Sequence, residues 1–160
     1  MTNTNIQPRS MQQGLLIRKL GFTLSVIALC LMSCTSVRLI SDYDEITDKA
    51  VTALQEKVSR FFVQLSDELG TEQAAYVNYK NFYRDVKVDL ASIQIRANAI
   101  DKNDIVQQQL ESLKKVLTDM EALHKIGIRN TQVLQTAEQA CNRSFTAIIK
   151  LQLALKRGQK

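Results

Sequence analysis

Hydrophobic residues recur at steps of three and four between residues 51 and 155. This spacing places them on one face of an α-helix, and it differs from the strict alternation of a half-buried strand. Four such stripes follow one another, separated by short polar segments. The stripes are Val51, Leu54, Val58, Phe61, Leu65; Tyr79, Tyr83, Val86, Leu90, Ile93, Ala97, Ile100; Val106, Leu110, Leu113, Leu117, Met120, Leu123; and Leu134, Ala137, Cys141, Phe145, Ile148, Leu151, Leu155. The pattern predicts an all-α domain.

Glycines and capping residues mark the predicted helix limits. Gly70, Gly127 and Gly158 each follow a stripe, where a left-handed residue is favoured after a helix end. Polar residues precede each stripe and are candidate N-caps or first-turn residues. These are Ser41 or Asp42, Thr71 with Glu72, Asp101 to Asp104, and Asn130 with Thr131. We therefore expect helices near 42–69, 72–100, 104–126 and 131–157.

Short loops between these helices predict an antiparallel up-down four-helix bundle, with the longest helices reaching about 40 Å. Antiparallel packing of the first two helices would bring together two groups of aromatic residues, Phe61 with Phe62 and residues 76–83. We interpret them as an aromatic core layer rather than a ligand platform. A three-helix arrangement, or a helical hairpin that dimerises as a coiled coil, stays open at this point.

Composition and charge exclude some structural and functional classes for this chain. A chain of 160 residues allows one ordinary domain, and 45% hydrophobic residues exclude intrinsic disorder. The formal charge is +5, but three of these charges are Arg9, Arg18 and Lys19, which precede residue 34 without any acid. The remainder is nearly balanced and shows no basic stripe with interleaved aromatics. Nucleic-acid binding is therefore not expected.

The N-terminal segment is typical of an export signal. Arg18 and Lys19 are followed by an apolar stretch, Leu20 to Met32, and then by the small residue Ser33. A spanning helix needs about 20 predominantly apolar residues, which makes an uncleaved anchor the less favoured alternative. A signal of ordinary length would begin at Met11, and we predict that translation starts there rather than at Met1.

The four residues Leu31, Met32, Ser33 and Cys34 resemble the lipobox of bacterial lipoprotein precursors. The resemblance implies that the Cys34 thiol receives a diacylglycerol, that cleavage falls between Ser33 and Cys34, and that the new amino group is acylated. Several acyl chains form a stable membrane anchor. Thr35 in place of Asp implies, by the same resemblance, the periplasmic leaflet of a Gram-negative outer membrane. Residues 1–33 would then be the signal peptide, 34–41 the acylated Cys and tether, and 42–160 the bundle.

Candidate catalytic or metal-binding groups are few. Glu121 and His124 match the Glu-x-x-His spacing of di-iron bundles, but the chain has one His, so we interpret His124 as a solvated residue at a helix end. Cys141 lies on an apolar stripe and is interpreted as a small buried hydrophobic residue. The acids at 42–48 suit a helix N-terminus better than a calcium loop. We expect no enzyme activity, metal site or cofactor.

The C-terminal tail carries four cations and no acid, at Lys150, Lys156, Arg157 and Lys160. One interpretation is that they complement the helix dipole. The other is that they contact anionic head groups near the acylated Cys, where each would contribute about 1 kcal/mol. A seven-residue tether spans at most about 25 Å, so such contact is within reach.

These observations predict a non-enzymatic, lipid-anchored envelope protein whose bundle engages another envelope component. One alternative is a bundle that holds an apolar or redox ligand in its core. Another is attachment to peptidoglycan through Lys160, as in lipoproteins of the murein type. An even number of antiparallel helices would return Lys160 to the membrane side, which argues against that attachment.

Overall fold

The computed structural model describes residues 39–159. In this range the chain is entirely α-helical apart from its loops and two short 3₁₀ turns, Glu72–Ala74 and Tyr76–Tyr79. The helices are α1, Glu45–Glu68; α2, Lys80–Asn98; α3, Asp104–Ile126; and α4, Thr131–Gly158. The predicted all-α class is confirmed. The predicted signal peptide, Cys34 and Lys160 lie outside the described residues.

The four helices pack as a ring in which sequence neighbours are also spatial neighbours. α1 contacts α2, α2 contacts α3, α3 contacts α4, and α4 returns to contact α1. With short connections between successive helices, this is the up-down four-helix bundle. It replaces the three-helix and hairpin alternatives for this chain.

The predicted stripes form the core of the bundle. Most of their residues are buried, and every helix contributes some of them, as with Leu54, Leu90, Leu110 and Phe145. Removing one such side chain from water contributes about 1.5–3 kcal/mol. Four stripe residues are only partly buried because they lie at the borders of the stripes. They are Ile100, Leu123, Ala137 and Leu151.

The first two helices begin later than predicted. α1 is capped by Asp44, whose carboxylate accepts from the Thr47 amide at 3.0 Å, and Ser41 is instead buried against the loop after α2. The expected start of the second helix at residue 72 was wrong. Ala75 has an extended backbone, with ψ of 137°, and it interrupts the helix until Lys80.

Two of the three predicted glycine positions have the expected geometry. Gly70 and Gly127 have φ values of +88° and +95°, a region that strains residues with a side chain. Gly158 instead belongs to the last turn of α4, so its prediction as a terminating residue was wrong. Asn130 does cap α4, since its side chain accepts from the Val133 amide at 2.9 Å.

The two ends of the bundle differ in composition, and we name them for what they contain. The terminal end holds residues 39–48, 96–105 and 152–159, where the described chain begins and ends. The aromatic end holds residues 61–83 and 120–134. No helix in residues 39–159 is long and apolar enough to cross a membrane.

Candidate functional site

The end of α4 lies beside the start of the described chain. The Lys156 ammonium sits 5.2 Å from the centre of the Tyr43 ring, and the Gln159 side-chain amide donates to the Tyr43 carbonyl at 3.5 Å. Tyr43 follows Cys34 by nine residues. The tail as far as Gln159 is therefore at the same end as Tyr43, near the start of the described chain, as the antiparallel arrangement predicts.

The three tail cations within the described range, Lys150, Lys156 and Arg157, are all exposed on α4. The terminal end around them also holds the exposed acids Asp42, Glu45, Asp101 and Asp104. Glu45 interacts electrostatically with Lys156. The tail is cationic, but the terminal end as a whole has six acids and four cations.

An ion pair fastens the first helix to the second at this end. Arg96 donates two hydrogen bonds to the Asp44 carboxylate, at 2.6 and 2.7 Å. The hydrogen bonds from Arg96 hold the pKa of Asp44 well below its usual value. Asp44 therefore caps α1 and binds α2 at once.

The aromatic end contains the predicted core layer. Phe61 stacks on Phe82 with ring centres 4.2 Å apart, and Tyr79 and Tyr83 meet Phe61 at 5.2 and 5.7 Å with tilted rings. Edge-to-face and offset pairs of this kind add about 0.5–1.5 kcal/mol beyond their buried area. The layer is filled by its own side chains, as expected for a core.

His124 is inside this layer, so its interpretation as a solvated residue was wrong. Its side chain is 2% exposed; Nε2 lies 2.8 Å from the Ala74 carbonyl and Nδ1 lies 2.8 Å from the Tyr83 hydroxyl. A carbonyl only accepts, so Nε2 carries the proton and the Tyr83 hydroxyl donates to Nδ1. Neither nitrogen keeps a free lone pair for a metal ion.

Glu121 forms a second polar group beside His124. The carboxylate is 5% exposed, and it accepts from Lys87 at 2.7 Å, from Lys125 at 3.0 Å and from the Tyr76 hydroxyl at 2.8 Å. Burial alone would raise the pKa of Glu121, but these hydrogen bonds outweigh it and lower the pKa to about 2. Glu121 and His124, which share the Glu-x-x-His spacing, are therefore both engaged by other groups of the protein.

The position of His124 carried a signal that the sequence interpretation missed. It follows Met120 by four residues and Leu117 by seven, which places it on the buried stripe of α3. The sequence contains no such indication of the ion cluster around Glu121, because Tyr76 reaches it from a 3₁₀ turn and Lys87 reaches it from α2. Together these contacts fasten the 3₁₀ segment onto α3.

Cys141 is confirmed as a buried residue of the core. Its side chain is 0% exposed and its sulfur lies 3.9 Å from that of Met120. Burial raises the pKa of the thiol to about 12. At neutral pH it is neither ionised nor accessible, which removes it from the candidates for a reactive thiol.

A surface groove runs between α3 and α4 near the aromatic end. Its cavity has a volume of about 330 Å³, and its lining is mainly apolar. Met120 lies in the floor, with Val116 and Leu123 on the α3 side and Val133, Ala137 and Ala140 on the α4 side. The groove is open because the two alanines end at Cβ and leave Val116 and Leu123 only partly covered. It was not anticipated from the sequence.

Comparisons with known proteins assign neither a family nor a function to the chain. No protein-family model matches the chain, and no curated protein or solved structure is significantly similar to it. Within residues 39–159 no group of three or more His, Cys, Asp or Glu side chains is arranged to hold a metal ion. Function must therefore be argued from the lipobox-like motif and the surface of the bundle.

Proposed function

We propose that the protein is a lipid-anchored, non-enzymatic component of a Gram-negative cell envelope whose helical bundle binds another envelope component. The observation that carries the proposal is the sequence Leu31-Met32-Ser33-Cys34 at the end of an apolar signal-like stretch. Acylation of Cys34 would anchor the chain in the periplasmic leaflet of the outer membrane. Only a short tether would then separate the anchor from the bundle, whose described part begins at Leu39.

The buried positions of the polar groups support a binding role rather than catalysis. His124, Tyr83 and Glu121 are the groups best suited to proton transfer, and all three are enclosed and hydrogen-bonded to the protein. A general acid or base must come within about 3 Å of a substrate atom, which these positions prevent. The α3–α4 groove, in contrast, is open to a partner.

The two alternative functions receive less support. Attachment to peptidoglycan through Lys160 would need a tail directed away from the membrane, whereas Gln159 lies against Tyr43 at the terminal end. A ligand in the core would need space among the buried side chains, and Phe145, Leu110 and Ile148 fill the centre of the bundle. We therefore retain the anchored binding module as the proposal.

Mass spectrometry of the full chain, expressed in a Gram-negative host, tests the anchor. The expected mature protein begins at Cys34 and carries the mass of a diacylglycerol and a further acyl chain. Cys34→Ala should accumulate as an unacylated precursor. The matched variant Cys30→Ala should be processed normally, because Cys30 follows a large residue. Acylation that persists in Cys34→Ala, or a mature N-terminus at another residue, would refute the proposed anchor.

Membrane fractionation tests the proposed sorting. The acylated protein should sediment with the outer membrane, and Thr35→Asp should shift it to the inner membrane. The conservative change Thr35→Ser should leave it in place. If the wild type, Thr35→Asp and Thr35→Ser divided between the inner and outer membranes in the same way, the outer-membrane assignment would be contradicted. The acylation of Cys34 would be unaffected by that result.

A further inference from the structure

Most cations of α4 differ from those of the other helices in that they form no ion pair with the described residues. α4 has four basic residues and one acid, Glu138, although residues 39–159 as a whole have equal numbers of each. Arg143, Lys150 and Arg157 form no ion pair within the described residues. Cations of the other helices commonly do, as Lys115 does with Asp119.

The spacing of these three cations places them on one side of the helix. Arg143, Lys150 and Arg157 are seven residues apart, which is two turns, or about 10 Å, along the axis. They follow the outer side of α4 over about 20 Å. Their alignment provides a row of positive charge that forms no ion pair with residues 39–159.

The row begins at the seam between α3 and α4, because Arg143 lines an opening there. On the side of α4 that faces α3, small residues recur at steps of three and four, at Ala137, Ala140, Ser144 and Ala147. The apolar groove of about 330 Å³, which Asp119 also lines, lies at one part of this seam. A second opening of about 410 Å³, which Arg143 lines, lies at another. The seam therefore has small and apolar residues along its length and a cation at the second opening, from which Lys150 and Arg157 continue along the outer side of α4.

We propose that the α3–α4 seam docks an amphipathic helix of another protein, with its apolar face in the groove and acidic residues beside the cations of α4. The inference rests on the proposed function and names the class of partner that the bundle would bind. Apolar residues at i, i+3 and i+4 are the means by which helices fill such grooves. Acids that repeat every seven residues would match the spacing of Arg143, Lys150 and Arg157.

Charge argues against a second copy of this chain as the occupant. Two copies joined through α4 would bring Arg143, Lys150 and Arg157 close to the same cations of the other copy. Like charges in such an interface are unfavourable, and no acid of α4 lies on the outer side to relieve them.

Shape argues against a lipid surface. Met120, in the groove floor, is only 3% exposed, so it lies below the rim of the seam. A layer of head groups would meet the cations but leave this floor unfilled. A helix fills a concave seam and meets the cations at the same time.

Fluorescence anisotropy with synthetic peptides tests the proposal. Residues 39–159 form a compact unit with its own core, so residues 35–160 serve as the soluble protein. The probe is a labelled 21-residue amphipathic helix with Leu at steps of three and four and Glu every seven residues. The matched probe has Lys in place of Glu. We expect the acidic probe to bind at least tenfold more tightly than the basic probe and to weaken as salt is raised.

Three variants locate the binding surface. Arg143→Gln, Lys150→Gln and Arg157→Gln combined should weaken binding of the acidic probe tenfold or more, and Ala140→Leu should do the same by filling the groove. The matched triple variant Lys49→Gln, Arg60→Gln and Arg84→Gln removes equal charge from α1 and α2. It should change binding less than twofold. Circular dichroism of each variant establishes that the bundle remains folded.

Several results would overturn the inference. Equal binding of the two probes, or equal losses in the two triple variants, would show that no specific seam is used. Vesicles containing phosphatidylglycerol that bind the protein through the α4 cations, without binding of the acidic probe, would assign the surface to lipid instead. A dimer in solution that Ala140→Leu dissociates would assign it to a second copy. Each of these outcomes leaves acylation of Cys34 untouched and so separates this inference from the proposed anchor.

Discussion

Glu121→Gln tests whether the buried ion cluster stabilises the aromatic end. Gln keeps the size of the side chain and still accepts the hydrogen bond from Tyr76, but it removes the charge that Lys87 and Lys125 neutralise. The pKa of Glu121 falls from an ordinary 4.5 to about 2 in the folded protein. At 1.36 kcal/mol per pKa unit, this difference corresponds to about 3.4 kcal/mol. Because the lysine side chains are 62% and 49% exposed, solvent screens them, and we expect about 2 kcal/mol.

The dependence on pH separates charge from packing. Since the folded pKa of Glu121 lies below the unfolded pKa, its contribution is complete above about pH 4.5 and is lost as the pH falls towards 2. Urea unfolding followed by circular dichroism should show Glu121→Gln to be less stable by about 2 kcal/mol at pH 7. By pH 3 the difference in free energy of unfolding between variant and wild type should be less than half of its value at pH 7.

A matched change on the same helix provides the control. Asp119 pairs with Lys115 on the surface, where both side chains are more than 60% exposed, so Asp119→Asn should cost less than about 0.5 kcal/mol. A gap for Glu121→Gln that stays constant from pH 7 to pH 3 would mean that packing, and not charge, causes the loss. No loss at pH 7 would refute the stabilising role of the cluster altogether.

Three further predictions concern the same contacts. Tyr83→Phe removes the proton that His124 Nδ1 accepts, and it should lower the free energy of unfolding by about 1–2 kcal/mol in urea titration. Arg96→Gln should lower the free energy of unfolding by about 1 kcal/mol at pH 7. Because the pKa of Asp44 is lowered in the fold, the difference between variant and wild type should shrink as the pH falls below the ordinary carboxylate pKa. In a protein whose only cysteine is Cys141, a thiol reagent such as Ellman's should react only on unfolding, and rapid reaction with the folded protein would contradict its burial.

The sequence predicted the bundle because its core depends on a local pattern. The limits expected for the third and fourth helices, 104–126 and 131–157, agree closely with Asp104–Ile126 and Thr131–Gly158. In each, a cap or glycine stands directly beside the stripe. Between α1 and α2 the pattern misled, because Tyr76 and Tyr79 continue a helical spacing although the backbone there forms 3₁₀ turns.

The candidate sites were less predictable because they depend on contacts between distant residues. His124 Nε2 donates to the Ala74 carbonyl of a 3₁₀ turn fifty residues earlier, and no local pattern in the sequence shows that contact. The α3–α4 groove similarly depends on which side of α4 faces α3. The stripe identified Ala137 as an interior position, but only packing shows that its small size leaves a groove.

The proposed anchor would decide which surfaces of the bundle remain for a partner. Leu39 follows Cys34 by five residues, so an acylated Cys34 would hold the terminal end within about 17 Å of the membrane. The acids Glu45 and Asp101 at that end reduce the attraction between the tail and anionic lipid. The cations of α4 are then better placed to act along the side of the bundle than at its base. With the proposed anchor at the terminal end, a seam that runs along the helices would stay accessible from the periplasm, as an anchored binding module requires.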